Sequence, residues 1–483
     1  MADIRYVILS DLHFGAANSL MTSLSEDPAG GGTFTVDPAV PSPLMVAVVA
    51  ALRELTAGQD TAPTLILAGD VLDLALSFDA VAATTFGCFI DTAFAGDRRV
   101  FAPAVYYLPG NHDHHLWEAA REAQYIEYLL QLGAADAIEP PWHTTRLNPD
   151  KQPPWTARDL MSTLIQRRPG SADVAVRVVY PNLALTTADG RRCCVVSHGH
   201  FTEPIYSLMT SLREMLFPDQ PGPVGTPNVD SLEVENFAWI DFFWSTLGRS
   251  GDVGVDIGLI YAELGSAVKL DILTNNLVRG LVRMSHTPSW LQPAQIALAS
   301  AIMRREVRHV AGTERGTPAV TLSPTTRLGL RRYLEGPLRQ QLVEEMGAVP
   351  PEVRFIFGHT HKPFVEDWSV TDYPGPVRLR NTGGWVVDSA TPAPTQGGAA
   401  VLLDDDLHAA TLLFYQQSPD GRAAPPKLLA PAGVEPNPLQ ASLAAAVDPA
   451  NDVWGAVGSA AADLVAQRHR LQQSLLGARG SAH

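Results

Sequence analysis

The chain has 483 residues, 46% of them hydrophobic and 18% charged, and a formal net charge of −16. That length exceeds one minimal domain and supports a large core, and the composition excludes a disordered chain or one dominated by membrane spans. The acidic balance argues against nonspecific nucleic-acid binding, which rests on neutralising phosphates with a basic surface, although a small anionic substrate could still meet a local cationic centre.

The first residues, Met1 to Asp11, carry an acid at position three and only a short apolar run, so they read as neither signal peptide nor spanning helix. Ile4–Leu9 predicts a strand that delivers Ser10-Asp11-Leu12-His13 at its end. In an extended segment residues two apart share a side, which brings Asp11 and His13 together. Residues 16–43 are rich in Gly, Pro, Ser and Asp and read as a long loop, and Leu44–Thr56 reads as a helix. Leu65 to Ala68 predict a buried strand that ends at Gly69, where the backbone can turn, and that leaves Asp70 at its carboxyl end with Asp73 three residues on. Open α/β sheets place their chemistry at that end. A lone Gly-Asp-x-x-Asp is also an ordinary turn, so its weight depends on the other clusters. Phe78–Phe94 predicts a helix, Ala104–Leu108 a third strand leading into Pro109-Gly110-Asn111-His112-Asp113, and Leu116–Leu132 an amphipathic helix. This alternation is that of a layered α/β fold. His114 and His115 are assigned to a solvated helix start and not to a ligand set.

Residues 139–172 hold several Pro pairs and read as a connecting region with a short helix around Asp159–Gln166. Val174–Tyr180, Leu183–Thr187 and Cys193–Ser197 are strand-like, the last two joined as a hairpin across Ala188-Asp189-Gly190, and the final one delivers Ser197-His198-Gly199-His200. Cys88, Cys193 and Cys194 are the only cysteines, which gives no disulfide framework and no zinc quartet and fits a reducing, cytoplasmic setting. From Phe201 to about Pro350 the pattern shifts to helices broken by Gly/Pro loops such as 218–227, and reads as an inserted helical cap. Its run Phe237–Trp244 is apolar on nearly every face except at Asp241, which favours buried interior over peripheral membrane or lipid contact. Arg304, Arg305 and Arg308 read as a solvated helix face.

Val353–Phe357 predicts a buried strand delivering Gly358-His359-Thr360-His361, and Val377–Arg380 leads to Asn381-Thr-Gly-Gly-Trp385. Ala399–Leu403 and Ala410–Tyr415 are expected to complete a second sheet. Beyond Gln417 the chain is rich in Pro and Ala until a helix from about Trp454 to Leu476, read as an appendage. The expected domains are residues 1–200 and 351–416 as two parts of one core, 201–350 as the cap, and 417–483 as the C-terminal segment.

Taken together, the strand-end clusters offer Asp11, His13, Asp70, Asn111, His198, His359 and His361, without a thiolate. Mixed carboxylate, imidazole and amide donors suit manganese, iron or zinc, whereas magnesium or calcium would favour oxygens almost throughout. The set is too large for one tetrahedral ion and fits two ions that share a carboxylate.

Asp11-x-His13, Gly69-Asp70-x-x-Asp73, Gly110-Asn111-His112-Asp113, His198 and Gly358-His359-x-His361 resemble, in their order, the motif set of the calcineurin-like metallophosphoesterases. The resemblance covers about residues 4–200 and 353–415. It implies a four-layer α/β/β/α sandwich, here with the large helical insertion, and hydrolysis of a small phosphate mono- or diester with two divalent or trivalent ions, manganese or iron and zinc. Position by position it implies that Asp11, His13 and His361 hold one ion, that Asn111, His198 and His359 hold the other, and that Asp70 bridges. Two cations about 3.5–4 Å apart clamp phosphate oxygens and turn a shared water into hydroxide for in-line attack on phosphorus. The residue matching His112 is a general acid facing the leaving-group oxygen, with Asp73 orienting its ring; a helix N-cap is the competing role for Asp73. Gly-His-Thr-His-Lys-Pro followed by Asn-Thr-Gly-Gly-Trp is similar to bacterial branches that include the UDP-diacylglucosamine hydrolase of lipid A synthesis. His112 stands where that branch carries Arg, and the insertion is longer, so a lipid-linked pyrophosphate is kept as an alternative substrate only. A non-catalytic scaffold on the same fold is the other alternative, and the complete ligand set speaks against it.

Overall fold

The apolar runs become the strands of two sheets. The computed structural model describes residues 3–27, 33–77, 79–94, 96, 99–149, 159–216, 228–246, 319–430 and 437–480. Its strands are β1 (Tyr6–Leu9), β2 (Thr22–Glu26), β3 (Phe34–Pro41), β4 (Thr64–Ala68), β5 (Ala104–Leu108), β6 (Ala175–Val178), β7 (Asn182–Thr186), β8 (Arg192–Ser197), β9 (Glu352–Phe357), β10 (Phe364–Trp368), β11 (Val377–Asn381), β12 (Gly397–Leu403), β13 (Ala409–Gln417), β14 (Ala423–Ala424) and β15 (Lys427–Leu429). The larger sheet runs β14-β13-β12-β1-β4-β5-β6, with β15 also paired to β13, and the smaller runs β10-β11-β9-β8-β7. β1, β4, β5 and β6 are mutually parallel, as are β8, β9 and β11. In each sheet the parallel strands therefore deliver their carboxyl ends to one edge.

Side-chain alternation sorts the core. Ile8, Ile66 and Leu108 of the larger sheet cluster with Cys194, Val196 and Ile356 of the smaller one. Their neighbours one residue along, Val7, Leu65, Leu67 and Tyr107, instead pack with residues of the helices Pro43–Thr56 and Asp79–Ala93. On the smaller sheet Cys193, Val195 and Phe355 pack with Leu330 and Leu342 from the helices Pro324–Tyr333 and Arg339–Met346. A period of two sends vicinal Cys193 and Cys194 to opposite faces, and both thiols are free and buried.

Several expectations are revised. Residues 16–43 are not one long loop, because β2 and β3 pair there as a separate two-stranded antiparallel sheet. Pro38 and Pro41 within β3 disguised it, since Pro is tolerated on such a ribbon but reads as a strand breaker. β12 and β13 do not build a second sheet; β12 joins the first, antiparallel to β1. All seven residues of β12 are buried, as a strand covered on both faces requires. β10, with its Glu366-Asp367 pair, had no legible strand pattern.

The C-terminal helix Asp452–Gly480 is no appendage. Trp454, Val457, Ala461 and Val465 belong to the same core as the helix Pro43–Thr56, and buried Arg468 donates to the carbonyls of Ser19 and Thr22. In the run Phe237–Trp244, Ile240 and Trp244 are buried but Phe242 is 58% exposed; the helix Val229–Ile240 continues there into the wider turn Asp241–Thr246. The loop at 218–227 and Arg304, Arg305 and Arg308 lie outside the described residues. Among the described residues, no helix is long and apolar enough to cross a membrane.

If the C-terminal helix is core, Trp454→Ala should destabilise the chain by about 3–5 kcal/mol in urea unfolding. Leu476→Ala, on an exposed stretch of the same helix, should change stability by less than about 0.5 kcal/mol.

Candidate metal centre

Each sequence cluster sits just past a parallel strand: Asp11 and His13 after β1, Asp70 and Asp73 after β4, Asn111 and His112 after β5, His198 after β8, and His359 and His361 after β9. The loops are stitched together by backbone hydrogen bonds, Asp11 N to Gly69 O at 2.9 Å and His13 N to Asp70 O at 2.9 Å. The Asp113 carboxylate accepts from Gly110 N (2.6 Å), Asp70 N (3.2 Å) and Val71 N (2.8 Å), so it locks the β4 and β5 loops to each other. Two glycines allow the closest approach. A Cβ at Gly69, which also has φ +89°, would strike His198, and one at Gly358 would strike Asp11.

Asp11, His13, Asp70, His359 and His361 adopt φ of 52°, 47°, 50°, 67° and 59°. This left-handed region is disfavoured for residues with a Cβ and costs on the order of 1–3 kcal/mol at each position. Five such residues meeting at one place mark a site whose geometry the surrounding fold imposes.

The donors form two groups. In one, His361 Nε2 lies 3.3 Å from His13 Nε2 and 3.4 Å from Asp11 Oδ1. In the other, His198 Nε2 lies 3.0 Å from Asn111 Oδ1, 3.3 Å from His359 Nδ1 and 3.5 Å from Asp70 Oδ2. Asp70 Oδ2 is also 3.7 Å from His13 Nε2, so this oxygen faces both groups, while Oδ1 accepts from His112 N at 2.8 Å. Donors about 2.1 Å from a common centre at tetrahedral angles stand about 3.4 Å apart, so both groups have the spacing a cation needs. The triplets Asp11/His13/His361 and Asp70/His198/His359 are each compact enough to hold a metal ion.

The remaining imidazole nitrogens are occupied from behind. His13 Nδ1 lies 2.9 Å from Asp73 Oδ2, His361 Nδ1 2.8 Å from Asp388 Oδ2, and His198 Nδ1 3.1 Å from Ala68 O. His359 Nε2 lies 3.0 Å from Glu203 Oε1, a charge contact without hydrogen-bond geometry. An acceptor behind one nitrogen fixes ring and tautomer and turns the other lone pair toward a metal. Burial would push the Asp70 carboxyl up, but the imidazoles of His198, His112 and His13 outweigh it and hold the group well below the usual carboxylate range. Asp11 is likewise lowered against burial by His361 and His198. Both carboxylates are thus ionised in a buried place.

Asp73 divides its carboxylate: Oδ1 lies 3.2 Å from His112 Nδ1 and accepts from Leu76 N at 2.7 Å, while Oδ2 takes His13. It contacts the expected partner, caps a turn and supports a second imidazole at once. Glu203 and Asp388 went unrecognised in the sequence. Glu203 and Asp388 stand in no repeated spacing, and only the fold brings them behind His359 and His361. His114 is not solvated: it is fully buried, its Nε2 2.8 Å from Glu233 Oε1 in the helix Val229–Ile240, whereas His115 is partly exposed. His200 is buried with Nε2 3.1 Å from the Tyr180 hydroxyl, outside both donor groups.

No family model matches the sequence, and no curated protein matches it either. Among solved structures the chain is similar to a dimetal phosphatase from Danio rerio, at 10% identity and TM-score 0.31 over 89% of this chain and 99% of that one. It is also similar to the phosphopantetheinyl hydrolase of Mycobacterium tuberculosis, at 14% identity and TM-score 0.24 over 79% and 90%. Likeness at this level assigns no activity to the chain.

Asp113→Ala should lower stability by about 2–4 kcal/mol in urea unfolding, because it strands several buried N–H groups. Burial lowers the His114 pKa, but Glu233 and Asp241 outweigh it and raise the value from 6.5 to about 10. A folded-state pKa raised in this way stabilises fully below about pH 6.5, and the gain is lost as pH rises through about 10. The stability gap between the native chain and His114→Gln should therefore shrink steadily from pH 6 to pH 10.

Proposed function

We propose that the chain is a dinuclear metal-dependent phosphoesterase of the calcineurin-like kind, acting on a small phosphate mono- or diester. One observation carries this reading: His13, His198, His359 and His361 each hold one nitrogen against an acceptor while the other converges on Asp11 or Asp70. In this reading Asp11, His13 and His361 hold one ion, Asn111, His198 and His359 the other, and Asp70 Oδ2 is shared. The nitrogen-rich donor set favours manganese, or iron with zinc. Two such ions supply Lewis-acid polarisation of the phosphate oxygens and a nucleophile at neutral pH.

The chain's own residues do the rest. Asp73 accepts from His112 Nδ1 and so reserves Nε2 as the atom that gives a proton to the leaving-group oxygen. The bond from His112 N to Asp70 Oδ1 fixes that acid relative to the shared carboxylate. The three hydrophobic clusters, one between the sheets and one on each outer face, support a four-layer α/β/β/α arrangement. In this reading residues 1–200 and 351–416 form its core, the helices Pro324–Tyr333 and Arg339–Met346 cover the smaller sheet and so belong to the sandwich, the rest of 201–350 is the cap, and the C-terminal segment 417–483 adds a helix to the outer layer of the larger sheet. Free buried thiols fit a reducing cytoplasmic setting.

Purified protein supplied with Mn²⁺ should hydrolyse p-nitrophenyl phosphate or its bis-ester, and EDTA should abolish the turnover. Asp70→Asn and His112→Ala should each lower kcat by about 100-fold or more. The two variants should differ in metal content, with Asp70→Asn losing bound ion and His112→Ala keeping it. Native-like turnover in either would contradict the assigned role.

A further inference from the structure

Within the smaller sheet, beneath the strand ends that carry the donor groups, Arg354 of β9 and Arg380 of β11 form a second charged feature. Arg354 and Arg380 share the face of Ile356 and Cys194 that packs toward the larger sheet. They are only 2% and 4% exposed. Arg380 Nη1 donates to Thr411 Oγ1 of β13 at 2.7 Å, which makes it a link between the sheets. Its Nε and the Nη1 of Arg354 are buried with no hydrogen-bond partner among the described residues. Glu352 lies 3.8 Å from Arg354 but closer to Arg192, at 3.3 Å, and the exposed Asp367 favours the charge of Arg380 with no ion pair between them among the described residues.

Arg354 stands opposite Arg378 and Arg380 opposite Ile356, so Arg354 and Arg380 are diagonal neighbours on paired strands, and they place like charges in a core where a low dielectric strengthens repulsion. Burial, then the charge of Arg354, pushes the Arg380 pKa down to about 10, which still leaves it charged at neutral pH. Cys194 on the same face is no counter-ion, because burial raises its thiol to about 12 despite both arginines. A water molecule could accept from the stranded N–H groups but would leave the positive charges facing each other. An anion answers both needs, and buried charges are rarely left unpaired.

We propose that Arg354, Arg380 and the Thr411 hydroxyl form a buried site for one small inorganic anion, lodged between the two sheets. The two unpartnered guanidinium N–H groups donate to it, and Thr411, which accepts from Arg380, has its own hydroxyl proton free to give. The anion acts as a structural tie between the sheets and takes no part in hydrolysis. Inorganic halide and oxyanion share this recognition chemistry, and separate arms of the test distinguish them.

Crystals of the metal-loaded, full-length protein soaked in sodium bromide, and separately in sodium sulfate, give the direct reading. A bromide anomalous peak or sulfate density within hydrogen-bonding distance of both Arg354 and Arg380 is expected. Neither ion at that place, whatever binds elsewhere, overturns the proposal. In solution the same protein should gain thermal stability saturably with one of these anions at constant ionic strength. Arg380→Met should weaken the apparent affinity at least tenfold, and Thr411→Val, a milder change, should weaken it severalfold. A saturable gain of unchanged midpoint in both variants would place the anion elsewhere and also overturn the proposal.

Discussion

Two buried, ionised carboxylates, Asp11 and Asp70, are the constraint around which the fold is arranged. Taking such a charge out of water costs several kcal/mol unless it is paired and hydrogen-bonded. Here the compensation comes from imidazoles and backbone N–H groups supplied by four separate strand ends, those of β1, β5, β8 and β9. Each imidazole is in turn braced by Asp73, Asp388, Glu203 or the Ala68 carbonyl. Hence the site cannot be held by one loop. Parallel strands in both sheets must end together, and the left-handed backbone at Asp11, His13, Asp70, His359 and His361 must be enforced by the packing beneath it.

That packing is built in depth. The inter-sheet core of Ile8, Ile66, Ile356 and their neighbours fixes the separation of the β1/β4 ends from the β8/β9 ends. The helices Pro43–Thr56 and Asp452–Gly480 clamp the outer face of the larger sheet, and Arg468 reaches back to the carbonyls of Ser19 and Thr22, only a few residues past His13. A C-terminal element thus stabilises the loop that carries the first donors. The pair His114–Glu233 does the same from another side, joining the helix after His112 to the helix Val229–Ile240.

The donors were legible in the sequence because each follows an apolar run of strand length, and a strand places the next polar residues at its end whatever the wider topology. Asp11, Asp70, Asn111, His198 and His359 all have this signature. The bracing residues do not. Asp388 follows Trp385-Val-Val, and Glu203 lies in a short helical turn, so their roles arise from tertiary approach. β12 was recognisable as a strand but not as the partner of β1, since a fully apolar strand does not declare its neighbour. The β2–β3 ribbon was hidden by its prolines. Asp73 was read as the support of one imidazole, and its two oxygens prove to serve two.

The proposed site binds two cations through a shared Asp70. The most direct measurement is the metal content of the Mn²⁺-loaded chain by mass spectrometry, taken in parallel for native protein and Asp70→Asn. About two ions per native chain are expected, as a two-metal site requires, with a clear loss in Asp70→Asn. Native protein that binds no ion, or an Asp70→Asn variant that binds as many as the native chain, would contradict it.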